Sequence, residues 1–414
     1  MKKSRMFYMA LLGVMLLGCF TGCKKQEENP GQEGTPTPEI AGPAETSPSE
    51  ESSQVSGGCS EAPMLQQMTA SKKLPELQKR LPVSEDRYVV NGVSVGNYGE
   101  DVQFAAESAE EITGELVSEG LFQYSSTGTI APNIAKGYTV NDDFTRYTIS
   151  LREGMRWSDG VLFTVDDCIF FYEKMCLPET FGEPLWDCFT VKDDQGKQTA
   201  ATFHKLDTYS FEIVFSQSKP DFLSQLLQKG GICFAPEHYF VNLMPAYMGE
   251  DAAKAKAKHM GYESVEEMLR VTVVQAWNIP GVPTLNPYCV SNEEGKDDVS
   301  GDYYEFVRNP YYWKVDTEGK QLPYMDRLGF TRISGESQKM LLITEGFLTV
   351  SHLDETQVAE ARAAATRGKY RVIAWSNTDF YAVNNQLKNF PESYPYEEIL
   401  RGIGAAHPEQ WYME

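Results

Sequence analysis

From Arg146 to Arg152 polar and apolar positions alternate, with Tyr147, Ile149 and Leu151 on one side, which predicts a half-buried strand. Asn141-Asp142-Asp143 just before it is turn chemistry, because an Asx side chain hydrogen-bonds its own backbone two residues on. Trp157 then leads into Ser158-Asp159-Gly160, a tight turn whose glycine supplies positive φ. The period changes after that. Thr164 is placed to cap a helix, Asp166 and Asp167 sit at the positive end of its dipole, and Cys168, Phe171 or Tyr172, and Met175 recur at helical spacing. Strand, turn and helix make a structural unit with no chemistry of its own.

The same two periods place further elements. Arg87-Tyr88-Val89-Val90 is a first strand, followed by a glycine-rich passage up to Gly99. Ala109, Ile112 and Leu116 are spaced for a helix within Glu107 to Leu121. Phe211 to Phe215 is a β run, and Lys219-Pro220-Asp221-Phe222-Leu223 opens a helix. Ala252 to Leu269, interrupted by Gly261, predicts a surface helix on which Lys254, Lys256 and Lys258 form a solvated face. Tyr303 to Trp313 is a strand, a turn and an aromatic triplet.

The amino terminus has a different character. Lys2, Lys3 and Arg5 precede an uncharged apolar run from Met6 to Leu17, the core of a signal peptide and too short for a stable membrane span. Leu16-Leu17-Gly18-Cys19 and Phe20-Thr21-Gly22-Cys23 both resemble a lipobox, in which the cysteine becomes the lipidated first residue of a bacterial lipoprotein. Leu16 favours Cys19, whereas Thr21 and Lys24-Lys25 favour Cys23, so both are lipidation candidates. Residues 24–83 are rich in Glu, Pro, Ser, Thr and Gly and predict a disordered tether.

A net charge of −22 argues against nucleic-acid binding, which needs a basic patch. Export permits disulfides, but Cys59, Cys168, Cys176, Cys188, Cys233 and Cys289 form no recognisable framework. The five histidines (His204, His238, His259, His352 and His407) show no metal-ligand spacing. No cofactor or metal is expected.

As one string, Asp142 to Asp167 resembles the signature of the extracellular solute-binding proteins of family 5, the peptide- and nickel-binding components of ABC importers. Arg308-Asn309-Pro310-Tyr311-Tyr312-Trp313 is a second mark of that family. Glu119-Gly120-Leu121 and Pro323-Tyr324-Met325-Asp326 stand where comparable steps occur. Leu285-Asn286-Pro287-Tyr288 replaces a glycine of the family pattern with Asn286, and Tyr381 to Gln386 resembles the strand entering a second lobe. Beyond Phe390 nothing matches.

The resemblance implies an α/β, periplasmic-binding-protein-like class II two-lobe architecture with an extra β-rich subdomain and the second lobe mostly missing. The expected boundaries are 1–23 signal peptide and lipobox, 24–83 tether, 84–118 with 206–355 first lobe, 119–205 inserted subdomain, and 356–414 the start of the second lobe. It implies a monomer that binds an oligopeptide and hands it to ABC permease subunits. The place is the extracellular face of the cell membrane, or the periplasm if there is an outer membrane, held by the N-terminal lipid anchor. Expected ligand contacts are Gln103 and Phe104 after the first strand, and Trp375 and Tyr381 near the crossing to the second lobe.

Two other readings compete. Gly92-Val93-Ser94-Val95-Gly96 has the form of a hydrolase nucleophile elbow, but loop-like residues follow where a helix is required. A fragment that folds and binds nothing is the other. Asp142-Asp143 and Asp166-Asp167 resemble acid pairs, but a turn and a helix start account for them.

Overall fold

The structure, a computed structural model, describes residues 58–90, 95–116, 118–125, 127–178, 185–193, 195–274, 276–291, 303–374 and 380–385. Residues 58–83 are folded, and the rest of the stretch expected as a tether over 24–83 lies outside the described residues. Helix α1 (Pro63–Ala70) starts on a proline, whose fixed φ and missing N–H suit a first helical turn. Leu65, Leu77 and Leu81 are buried. The fully buried Arg80 side chain pairs with Glu61, donates to the Pro75 carbonyl at 3.0 Å and reaches the Pro310 carbonyl. The average composition of this stretch is polar, yet three leucines and one long cation suffice to anchor it.

The chain continues through β1 (Tyr88–Val90) and β2 (Asp101–Ala106). Ser108 then caps α2 (Ala109–Glu115), its Oγ accepting from the Glu111 N–H at 3.3 Å. Strands β3 (Ala135–Val140) and β4 (Arg146–Leu151) pair across the Asx turn, where Asn141 Oδ1 accepts from the Thr145 and Arg146 N–H groups. Helix α3 (Val165–Phe170) begins on a capping box between Thr164 and Asp167 and runs into a π-helical turn over Phe171–Cys176.

Strands β5 (Thr202–Lys205) and β6 (Ser210–Val214) complete an antiparallel sheet of order β3-β4-β6-β5. Phe211 and Ile213 lie opposite Ile149 and Tyr147, all buried, as strict alternation requires. The same core takes Phe222 and Leu226 of α4 (Phe222–Leu227), Ala253 and Ala257 of α5 (Glu250–His259), and Met268 and Leu269 of α6 (Val265–Val274). The Ala252–Leu269 segment is therefore two helices parted at Gly261, which has φ 83°, with its lysines exposed.

A second sheet follows from β7 (Tyr288–Val290), β8 (Tyr303–Arg308) and β10 (Arg327–Arg332), while β9 (Lys314–Asp316) between them pairs in parallel with β1. The sheet has order β7-β8-β10-β2, and β2 joins β10 in parallel as its outer strand. One face buries Val102, Phe104, Phe306, Leu328 and Phe330 as a second core.

The remaining described elements are α7 (Glu336–Glu345), β11 (Val350–Leu353), α8 (Glu355–Ala365), β12 (Tyr370–Ala374) and β13 (Phe380–Asn384). The three strands form an antiparallel sheet of order β11-β13-β12. Met340, Ile343, Leu353, Ala361 and Tyr370 share a third core.

One core takes apolar side chains from the segment 119–205, from β6 to α6, and also Tyr312 and Trp313. Met340 and Ile343 of α7 pack with Leu353 and Ala361.

Candidate functional site

The strongest sequence motifs converge on a buried polar cluster. Glu119 accepts from the Tyr312 hydroxyl at 2.5 Å, Asn133 Nδ2 at 2.6 Å and Lys314 Nζ at 2.9 Å. Its backbone N–H donates to Asn286 Oδ1 at 2.9 Å, so the residue standing in place of the family's glycine has taken a structural role. Lys314 Nζ also lies 4.9 Å from the Trp313 ring centre and 5.0 Å from that of Tyr88. Burial pulls the Lys314 pKa down while Glu119 pulls it up, and burial together with Glu119 holds the Tyr312 hydroxyl well above its ordinary value.

The helix-capping motif is tied into the same framework. Gly160 has φ 92°, and a Cβ there would stand 2.7 Å from the Tyr311 hydroxyl, so the turn and the aromatic triplet require each other. Asp167 accepts from Trp157 Nε1 at 3.2 Å, the Thr164 N–H at 3.0 Å and the Glu237 N–H at 3.1 Å. Burial nevertheless pushes its carboxyl up to about 6. Asp159 pairs with His238 at 2.7 Å. These groups are satisfied by one another, which makes them a scaffold.

A more open polar site lies where the chain crosses between the second and third cores. Two described segments meet there, Thr349–Val350 and Val383–Asn384. Val350 and Val383 face each other across β11 and β13, and both are buried in the second core. The Gln103 N–H donates to Thr349 Oγ1 at 2.8 Å, and the Gln103 carbonyl accepts from the Thr349 N–H at 2.8 Å. The Thr349 carbonyl in turn accepts from the Asn384 N–H at 2.9 Å. Outer strand β2 is thus fastened to Thr349, and Thr349 in turn to Asn384.

The half-buried Gln103 side chain lies over Gly329. A Cβ on Gly329 would stand 2.2 Å from Gln103 Oε1 and 2.4 Å from the Tyr303 hydroxyl, and that hydroxyl donates to Gln103 Oε1 at 3.3 Å. The same face carries the Arg327–Glu305 ion pair at 2.9 Å. An amide, a phenol and an ion pair make a hydrogen-bonding surface, and none of them is a nucleophile with an adjacent base.

Of the four expected ligand contacts, Gln103 is at this crossing. Phe104, its neighbour, points the other way and stacks on Phe330 at 5.1 Å, because successive strand residues face opposite sides; its ring is a core residue. Tyr381, on β13, is half-buried and meets His352 edge-on at 5.3 Å. Trp375 lies outside the described residues. Sequence reasoning missed Thr349, Tyr303 and Gly329. The available signal was Gly329 itself, a lone glycine between Leu328 and Phe330 that marks a close approach.

Ser94 and both lipobox cysteines, Cys19 and Cys23, also lie outside the described residues. No group of three His, Cys, Asp or Glu side chains could hold a metal among the described residues, and no helix there is long and apolar enough to cross a membrane. Asp143 accepts from the Thr145 hydroxyl at 2.7 Å and its N–H at 3.2 Å, which lowers its pKa and fixes the turn.

Comparison with known proteins bears on this architecture. The chain is 29% identical over 237 residues to the periplasmic alpha-galactoside-binding protein of Rhizobium meliloti, covering 55% of this chain and 29% of that protein. It is 26% identical over 291 residues to a probable ABC transporter-binding protein of Deinococcus radiodurans, covering 68% and 44% respectively. Among solved structures, an oligopeptide-binding protein OppA superimposes with a TM-score of 0.64 at 23% identity, over 77% of this chain and 49% of that one. The chain spans about half or less of the length of these proteins. The family model described as "Bacterial extracellular solute-binding proteins, family 5 Middle" matches residues 129–398. With more than half of its length matched and the fold shared, the chain belongs to the bacterial extracellular solute-binding proteins of family 5.

Proposed function

We propose that this chain is the solute-capturing component of an ABC importer, that its solute is an oligopeptide held at the crossing, and that it delivers this to a membrane permease without making or breaking a bond. The observation supporting a peptide is the outward side of β2. In a parallel pair a residue's N–H and C=O point to one side and its neighbours' to the other. Gln103 turns both groups outward to Thr349, so Ala105 turns its own the same way. An extended peptide pairs its backbone with such an outer strand and sends alternate side chains into tolerant pockets. In this reading the Gln103 amide and the Tyr381 ring line the ligand, with Trp375 as a further apolar contact.

A saccharide is the second reading, favoured by the 29% identity to an alpha-galactoside-binding protein. Thermal unfolding of the full chain separates the two. A ligand that binds only the native state at about 100 times its Kd adds about 2.7 kcal/mol. A rise in midpoint with a mixed peptide pool and none with raffinose supports the peptide. The reverse supports the saccharide, and no rise with either removes both. We also propose that lipidated Cys19 or Cys23 holds the chain, as a monomer, on the extracellular face of the membrane. Release of the Cys19→Ser or Cys23→Ser variant into the soluble fraction identifies which one; retention of the double variant contradicts the anchor.

A further inference from the structure

A polar cleft of about 360 Å³ opens in the β-rich module and shares no residue with the crossing. That volume lies near the lower end of the ~300–1,000 Å³ typical of small-molecule sites. Its walls are the short helical turn Asp187–Phe189, the strand Thr190–Lys192 and the loop leading into α4.

The floor is built around Lys219, which is only 9% exposed. Its backbone is pinned on both sides: the N–H donates to the Phe144 carbonyl at 3.0 Å, and the carbonyl accepts from the buried Tyr147 hydroxyl at 2.7 Å. Its Nζ donates to Gln225 Oε1 at 2.9 Å and pairs with Asp221 at 3.2 Å, while the Gln225 amide also donates to Asp221. Thr190 is held as well, accepting from Gln198 Nε2 at 2.8 Å and donating to the Asp187 carbonyl at 3.3 Å. The floor is therefore fixed by the protein's own groups. On the rim stand the exposed Asp187 and Lys192, whose side chains have no hydrogen bond or ion pair among the described residues.

We propose that this cleft binds a small zwitterion of the α-amino acid class, its carboxylate against Lys192 and its ammonium against Asp187, above the Lys219–Asp221 pair. The lining carries two cations and two anions. A ligand of one sign meets a like charge at the rim. An apolar ligand desolvates polar groups without replacing their hydrogen bonds, which costs free energy. A ligand bearing both charges satisfies both rim groups at once.

The probe is L-serine, titrated into the full chain and followed by calorimetry. Saturable binding with a Kd of about a millimolar or below is expected. Acetate and methylammonium, each carrying one of the two charges, should bind at least about tenfold more weakly. Asp187→Asn and Lys192→Met should each weaken serine about tenfold or more, whereas Gln103→Ala, at the crossing, should leave it unchanged. Absence of saturation up to about 100 mM serine overturns the proposal. So does acetate binding as well as serine, or sensitivity to Gln103→Ala without sensitivity to the two rim variants. The last result would move serine to the crossing and leave the peptide reading to be judged by its own thermal shift.

Discussion

The Glu119–Lys314 cluster and the Gln103–Thr349 crossing are both polar, and they solve opposite problems. Glu119 and Lys314 are 3% and 1% exposed and find their partners within the protein. The residues around them supply the long motifs from Trp157 to Asp167 and from Arg308 to Trp313. Gln103, Tyr303 and the buried Thr349 belong to no long motif, and Gln103 and Tyr303 keep a partly open face. The recognisable signatures of this chain belong to its buried framework, and the surface proposed for the ligand carries none. Identifying the family from its motifs therefore says little about where the ligand sits.

The comparison is sharpest under substitution. Lys314→Met should cost about 3–5 kcal/mol in urea-denaturation stability, because it leaves Glu119 buried without its cation. A loss under 1 kcal/mol would mean that water reaches the cluster. Asp167 gives the next effect. Its folded carboxyl is raised to about 6 from an ordinary 3.8, so the folded state holds the proton more tightly than the unfolded one. The stability it contributes is fully present below about pH 3.8 and is lost as pH rises through about 6. The amount is on the order of 3 kcal/mol. Relative to Asp167→Asn, wild-type stability should fall across that window, and parallel curves would contradict the assignment. At the crossing, Gly329→Ala pushes a methyl into Gln103 and Tyr303 and should cost about 1–3 kcal/mol by denaturation while displacing the Gln103 amide. Thr349→Val removes the acceptor for the Gln103 N–H and should cost about 1 kcal/mol by the same measurement. Its larger consequence should be for ligand affinity.

How far the sequence could be read follows the same division. Alternation at Tyr147, Ile149 and Leu151 and the cap at Thr164 are local signals, and the structure contains both. Gln103 is a candidate from sequence because it lies just beyond a recognisable opening strand. That the Phe104 ring lies in the core is not legible, because the phase of a strand is invisible until its core face is known; Val102, Phe104 and Ala106 are that face. Thr349 lies 246 positions from Gln103 along the chain, and no local pattern reports such a pairing. The folded stretch around Arg80 was hidden in polar surroundings because a single buried arginine carries much of its attachment.

The most direct test is amide hydrogen exchange of the full chain with and without a saturating mixed peptide pool. The account predicts added protection at residues 101–106 and 349–353, with the Glu119–Lys314 cluster equally slow in both states. Protection elsewhere, with none on β2, would contradict the placement of the ligand at the crossing.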